Sequence, residues 1–208
     1  MKRILKFWIL DILILINISP LSSQVMKAQD EGGSLGGLFF RREFNKDIAE
    51  QVSKKFVCQK ILNIPEGQLV KVEIDALTAS KSGELTTVFY QCDELKKKGL
   101  LFVFFNEYAN NNNYDQEYLG YSYKNLEENE AEGLMSKVSE IIESKDKIFK
   151  TKYNNAAYYF KDLTFVFAEN ALGSDFIKVF YKHYDAWWND SNFKRTAKRY
   201  LKKSQKFK

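Results

Sequence analysis

The fold of this chain is decided by Ala156-Ala-Tyr-Tyr-Phe-Lys-Asp-Leu-Thr-Phe-Val-Phe-Ala168 and, after a short break at 170–174, by Phe176-Ile-Lys-Val-Phe-Tyr-Lys-His-Tyr-Asp-Ala-Trp-Trp188. Aromatic and β-branched side chains dominate both halves, and the break contains Gly173. This combination is typical of a strand–turn–strand unit. We therefore predict a hairpin across residues 156–188.

The second half of this hairpin has the alternation of a strand with one buried face. Ile177, Val179 and Tyr181 share one face, and Lys178 and Lys182 lie on the other. We expect the hairpin to form the centre of an antiparallel sheet, with the upstream elements packed onto it.

The rest of the chain alternates between helical and strand patterns. The predicted elements are a helix over 41–62, strands over 70–76, 85–92 and 100–105, a helix from Glu127, and a helix capped by Asp190 or Ser191. The asparagine- and tyrosine-rich residues 110–123 are predicted to form a mobile loop.

These elements predict the α+β class. The expected order is α-β-β-β-α-β-β-α, with one antiparallel sheet of about five strands and helices on one face or at one end. A curved, cone-like sheet closed by a helix also fits this order. The predicted divisions are a signal peptide (1–28), a flexible lead-in with four glycines (29–40) and a single domain (41–208).

The first residues have the layout of a secretory signal peptide. Lys2, Arg3 and Lys6 precede an apolar run over 7–18, and Ala28 suits the position before a cleavage site. The run is about a dozen residues long, whereas a bilayer span needs about 20. We predict export to the periplasm, the outer envelope or the medium, with retention by an uncleaved anchor as the alternative.

The chain has two cysteines, Cys58 and Cys92, which could pair in an exported protein. The alternative is two free thiols that behave as small hydrophobic side chains. Cys58 falls in a predicted helix and Cys92 at a predicted strand end, so their geometry decides between the two.

The carboxyl-terminal helix is basic. Residues 191–208 contain eight lysines and arginines and no acid. Such a helix fits contact with an anionic lipid or polymer of the cell envelope, and the alternative is a solvated surface helix. The predicted location outside the cytoplasm argues against nucleic acid as the partner. The candidate contact residues are Lys194, Arg195, Lys198, Arg199 and Lys202.

The sequence contains no catalytic signature. His183 is the single histidine, so a Ser-His-Asp triad would have to use it. Tyr184 and Asp185 are its chain neighbours, but adjacent strand residues point to opposite faces, so we do not expect a direct relay. A hydrolase would depend on His183 and scattered carboxylates such as Glu73, Asp75 or Glu84. We predict no metal and no cofactor.

Aromatic residues at the end of the hairpin are the best candidates for binding. Because neighbouring strand residues face opposite ways, at most one of Trp187 and Trp188 faces the core. We predict a non-enzymatic module that binds a protein or small-molecule ligand on an aromatic sheet face or in a sheet–helix cleft. The candidate residues are Tyr158, Tyr181, His183, Trp187 and Trp188.

Overall fold

The computed structural model describes residues 35–80, 83–109, 117–149, 154–169 and 175–205. The chain divides into two units, Met1–Arg41 and Arg42–Lys208. The predicted signal peptide lies outside the described residues, and the first unit is described only over its last seven residues, which are helical.

Within the described residues the chain forms α-helices and antiparallel strands, and the predicted α+β class is confirmed. The elements in chain order are α1 (Leu35–Phe56), a π-helical turn (Val57–Leu62), β1 (Glu73–Ala79), β2 (Leu85–Cys92), β3 (Lys97–Ala109), β4 (Glu117–Glu127), α2 (Glu128–Glu143), α3 (Lys145–Ile148), β5 (Ala156–Phe160), β6 (Leu163–Glu169), β7 (Asp175–Tyr181), β8 (Tyr184–Trp187) and α4 (Asp190–Ser204).

The strands form two four-stranded sheets instead of one sheet of about five. The first sheet has the order β1-β2-β3-β4 and the second has the order β5-β6-β7-β8. Every neighbouring pair is antiparallel and consecutive in the chain. A long helix follows each sheet, so the chain repeats the order four strands and a helix.

Tight turns explain why the predicted hairpin is in fact a complete sheet. Lys161 and Asp162 link β5 to β6 with φ angles of 51° and 68°, and Lys182 begins the β7–β8 turn with a φ of 55°. Left-handed backbone of this kind usually selects glycine or asparagine. Lysine occupies two of these three positions and no glycine is present, so Asp162 alone gave only a weak turn signal.

Strand β4 occupies the second half of the predicted loop, from residue 117 onward, and residues 110–116 lie outside the described ranges. It pairs with β3 from Gly99 opposite Glu127 to Ala109 opposite Glu117. Its Tyr123 ring stacks on Phe56 of α1 with ring centres 4.4 Å apart. Tyrosine has a strong preference for strands when one face is covered, and this packing outweighs the polar composition of the segment.

The first sheet, and not the aromatic stretch, is the middle layer of the unit. All eight residues of β2 are buried, because α1 covers one face of the first sheet, whereas α4 covers the other face at β2 and the second sheet covers it at β3. The prediction that residues 156–188 form the centre of the sheet was therefore wrong. The expectation that Leu100–Phe105 is covered on both faces is confirmed for Leu100 to Phe104.

Helices α2 and α4 close the space between the sheets. Helix α2 packs on β3 and β4, and α4 packs on β1 and β7. Glu127 and Glu130 form a capping box at the start of α2, as the cluster of acids there suggested. The Asn189 side chain caps α4, one residue before the predicted Asp190 or Ser191.

Both cysteines are free thiols. Cys58 lies in the π-helical turn, whereas Cys92 is buried at the end of β2, and its thiol is 3.7 Å from a carboxylate oxygen of Glu94. Of the two alternatives left open by the sequence, the structure therefore has the free thiols, and Cys92 fills a small apolar position in the core.

Candidate functional site

The second sheet has one face against the core and one face toward solvent. The solvent-facing side, called the outer face below, has two rows of side chains that run across all four strands. The first row is Ala157, Val166, Lys178 and Trp187, and the second row is Tyr159, Thr164, Phe180 and Asp185.

Large aromatic side chains remain exposed on the outer face. Tyr159 is 66 % exposed, Trp187 is 45 % exposed and Phe180 is 36 % exposed. Burying such a ring is worth roughly 1.5–3 kcal/mol, so leaving three of them on one sheet face is unfavourable for the isolated chain. Clustered exposed apolar surface of this kind marks interaction sites in soluble proteins.

Lys178 lies at the centre of the outer face and contacts three of its side chains. Its ammonium group lies 2.6 Å from a carboxylate oxygen of Asp185, 5.4 Å from the ring centre of Phe180 and 5.1 Å from that of Trp187. The ion pair makes the centre electrically neutral, and the cation–π contacts restrain both rings. The face is therefore a neutral, ordered aromatic surface.

Tyr159 is hydrogen-bonded to the turn between β5 and β6. Its hydroxyl donates to Asp162, whose other carboxylate oxygen is 3.0 Å from the ammonium group of Lys124 in β4. These two hydrogen bonds, the one from Lys124 being the larger influence, hold the pKa of Asp162 below its usual range. Asp162 thus stays ionised and keeps the Tyr159 ring in a fixed orientation.

The residues predicted to bind are divided between the two faces. Trp187 lies on the outer face, whereas Trp188 is 1 % exposed and packs on Phe102 with ring centres 5.4 Å apart. The expectation that the two tryptophans face opposite ways is confirmed. Tyr181 belongs to the core cluster, Tyr158 is half-buried against that cluster, and His183 is exposed in the β7–β8 turn.

The residues proposed for a hydrolase do not converge. Glu73 and Asp75 both pair with Lys203, at 2.5 Å and 2.8 Å, which ties β1 to α4. His183 lies in a turn of the second sheet. Among the described residues, no three histidine, cysteine or acidic side chains are placed to hold a metal ion.

Helix α4 presents most of its bases to solvent. Lys194, Arg195, Lys198 and Lys202 are exposed and make no ion pair within the described part of the chain. Arg199 differs, because its guanidinium donates to the carbonyl oxygen of Leu77. The buried side of the helix carries Phe193, Thr196 and Tyr200, whereas Leu201 is 44 % exposed.

Sequence reasoning missed four residues of the outer face. They are Tyr159, Lys178, Phe180 and Asp185. Once the turn at Lys161–Asp162 is known, strand alternation places Tyr159 on the same side as Trp187, but the sequence does not indicate that turn.

Comparisons of the chain with protein-family models, curated proteins and solved structures gave no match. In the described ranges, no helix is both long and apolar enough to cross a membrane. Function is therefore inferred from the site itself.

Proposed function

We propose that this protein is a non-enzymatic binding module whose outer face binds another protein. The observation that supports this most strongly is the group of exposed rings, Tyr159, Phe180 and Trp187, on the same face as the neutral Lys178–Asp185 pair. Tryptophan and tyrosine are the residues most enriched at the energetic centres of protein interfaces.

A protein partner fits this face better than a charged polymer does. The central ion pair leaves no net charge to attract an anionic or a cationic chain, whereas apolar rings gain from contact with a flat apolar surface. The rings are also restrained by Lys178 and by the sheet, so little side-chain freedom is lost on binding.

The basic side of α4 supports a second candidate function, contact with an anionic envelope surface. Lys194, Arg195, Lys198 and Lys202 are outward-facing and have no carboxylate partner in the described residues. Truncation of this helix is not a usable test, because Phe193 and Tyr200 belong to the core. A photoreactive amino acid on the exposed side of α4 tests this second function without removing residues of the core.

Site-specific photocrosslinking distinguishes these functions. A photoreactive amino acid in place of Tyr159 is expected to capture a distinct protein in the cells that make this chain. The same group at Leu69, which is 98 % exposed, serves as the control and should capture nothing specific. Adding Trp187→Ala to the Tyr159 reporter should weaken capture roughly thirtyfold, the effect of losing an interface residue worth about 2 kcal/mol.

Other outcomes would change the assignment. Capture of a second copy of the chain would make the outer face a self-association surface. Specific products at Lys198 but not at position 159 would favour the basic helix. Equal capture from positions 69 and 159 would contradict a binding role for the outer face.

A further inference from the structure

A cleft of about 470 Å³ lies between the π-helical turn, the β2–β3 turn and the start of α2, on a part of the unit separate from the outer face. Its volume is in the range of sites for small organic molecules. The cleft also contains Lys60 and Ile61 of the π-helical turn. Short π-helical segments are rare and are frequently found at functional sites.

The cleft has an excess of positive charge. Four lysines, Lys60, Lys96, Lys97 and Lys98, line it together with Glu127 and Glu128, which gives +4 and −2, or a net +2. This excess is not shared evenly among the four lysines.

The hydrogen bonds of the lysines show where the unbalanced charge lies. Lys98 is paired with Glu128 at 2.5 Å. Lys97 donates to the carbonyl oxygens of Ile61 and Leu62 at 2.6 Å and 3.3 Å, and these neutral groups leave its charge uncompensated. Lys60 and Lys96 are exposed and have no carboxylate partner within the described ranges. Lys60, Lys96 and Lys97 therefore carry +3 without a carboxylate partner, and the Glu127 carboxylate, which accepts from the backbone of α2, reduces this to the net +2.

Aromatic side chains supply the apolar part of the cleft. Phe56 lines it while stacked on Tyr123, and Tyr90 lines it from the sheet below. Burial raises the pKa of Tyr90 to about 12, so its hydroxyl stays neutral at physiological pH. The cleft thus combines ammonium donors with a small aromatic floor, to which Phe56 contributes more surface because Tyr90 is only 1 % exposed.

We propose that this cleft binds a small organic dianion, either a phosphate monoester or a dicarboxylate. The ammonium groups of Lys60 and Lys96 bind its negative charges. Two negative charges match the net +2 of the lining, and the aromatic floor accommodates the carbon body of the ligand. The ligand occupies the junction of α1, the first sheet and α2, so binding links these three elements. This proposal is independent of the outer face.

Calorimetric titration of the full chain tests the proposal with three probes, phenyl phosphate, phthalate and inorganic phosphate. We expect saturable binding of at least one organic dianion, weaker binding of inorganic phosphate and weaker affinity at higher salt. Lys60→Gln and Lys96→Gln should each weaken organic-dianion binding about tenfold, because each removes a charged hydrogen-bond donor. Lys202→Gln on α4 is the matched control and should leave the affinity unchanged.

The two organic probes distinguish the two classes of dianion. Preferential binding of phenyl phosphate assigns a phosphate monoester, and preferential binding of phthalate assigns a dicarboxylate. Three results would overturn the proposal. They are no saturable binding of either organic probe, equal loss of affinity in Lys202→Gln, and inorganic phosphate binding as tightly as the organic dianions. Both cleft lysines are exposed, so their variants should fold, and circular dichroism checks this directly.

Discussion

Replacing Trp188 by alanine is expected to lower the free energy of unfolding by about 3–5 kcal/mol, the usual cost of removing a large buried aromatic side chain. Trp188 contacts rings from three elements, with centres 5.4 Å away for Phe102, 6.2 Å for Phe165 and 5.3 Å for Phe193. It therefore joins the first sheet, the second sheet and α4. Chemical denaturation of the purified chain measures the loss.

Two further substitutions at this position and its neighbour serve as controls. Trp187→Ala should change the free energy of unfolding by less than about 1 kcal/mol, because this side chain is 45 % exposed. Trp188→Phe should cost much less than alanine, since it keeps a ring and removes an indole N–H that has no acceptor among the described residues. Equal losses for Trp187→Ala and Trp188→Ala would contradict the assignment of the two faces.

Gly99→Ala is expected to destabilise the chain by about 3 kcal/mol through a steric clash. A β-carbon at Gly99 would lie 2.3 Å from the carbonyl oxygen of Leu126 and 2.4 Å from the hydroxyl oxygen of Tyr90. Neither neighbour can move easily, because Leu126 is backbone in the paired strand β4 and the Tyr90 ring is buried in the core. Thermal and chemical unfolding both report the effect.

The matched control is Gly133→Ala, for which the opposite sign is expected. Gly133 lies within α2, and an added β-carbon would meet no atom within 4 Å. Alanine should therefore stabilise the helix by roughly 0.5–1 kcal/mol. If both substitutions were equally harmless, the close approach of β3, β4 and Tyr90 in this account would be wrong.

The sequence predicted elements whose signals are local. Strand β2 has the predicted bounds Leu85–Cys92, and α2 begins where the acids cluster after Glu127. These patterns succeed because strand propensity and helix-terminal charge act over a few neighbouring residues. Helix α1 begins at Leu35, within the predicted flexible lead-in, although Gly36 and Gly37 disfavour a helix.

The number of strands could not be predicted because it depends on turns without a glycine signal. Lys161 adopts left-handed backbone that its residue type does not favour, and only Asp162 beside it is of a type that tolerates this conformation. One missed turn changes both the strand count and the pairing of every residue after it.

The candidate site was predicted in part. The alternation of side chains along a strand correctly placed Trp187 and Trp188 on opposite faces. It does not indicate which of the two faces of the second sheet is buried against the rest of the protein. That choice is made by the first sheet, whose Phe104 stacks on Tyr181 with ring centres 5.5 Å apart. Tyr158 and Tyr181 were therefore assigned to the binding surface, whereas Tyr181 belongs to the core cluster and Tyr158 packs against it.

The most direct test of the account is the accessibility of single tryptophans to a neutral collisional quencher of fluorescence. In a Trp8→Phe background, one variant keeps only Trp187 and the other keeps only Trp188. We predict strong quenching of Trp187 in the folded chain and weak quenching of Trp188 until the chain is unfolded. A protected Trp187 with an accessible Trp188 would contradict both the packing of the second sheet and the proposed binding face.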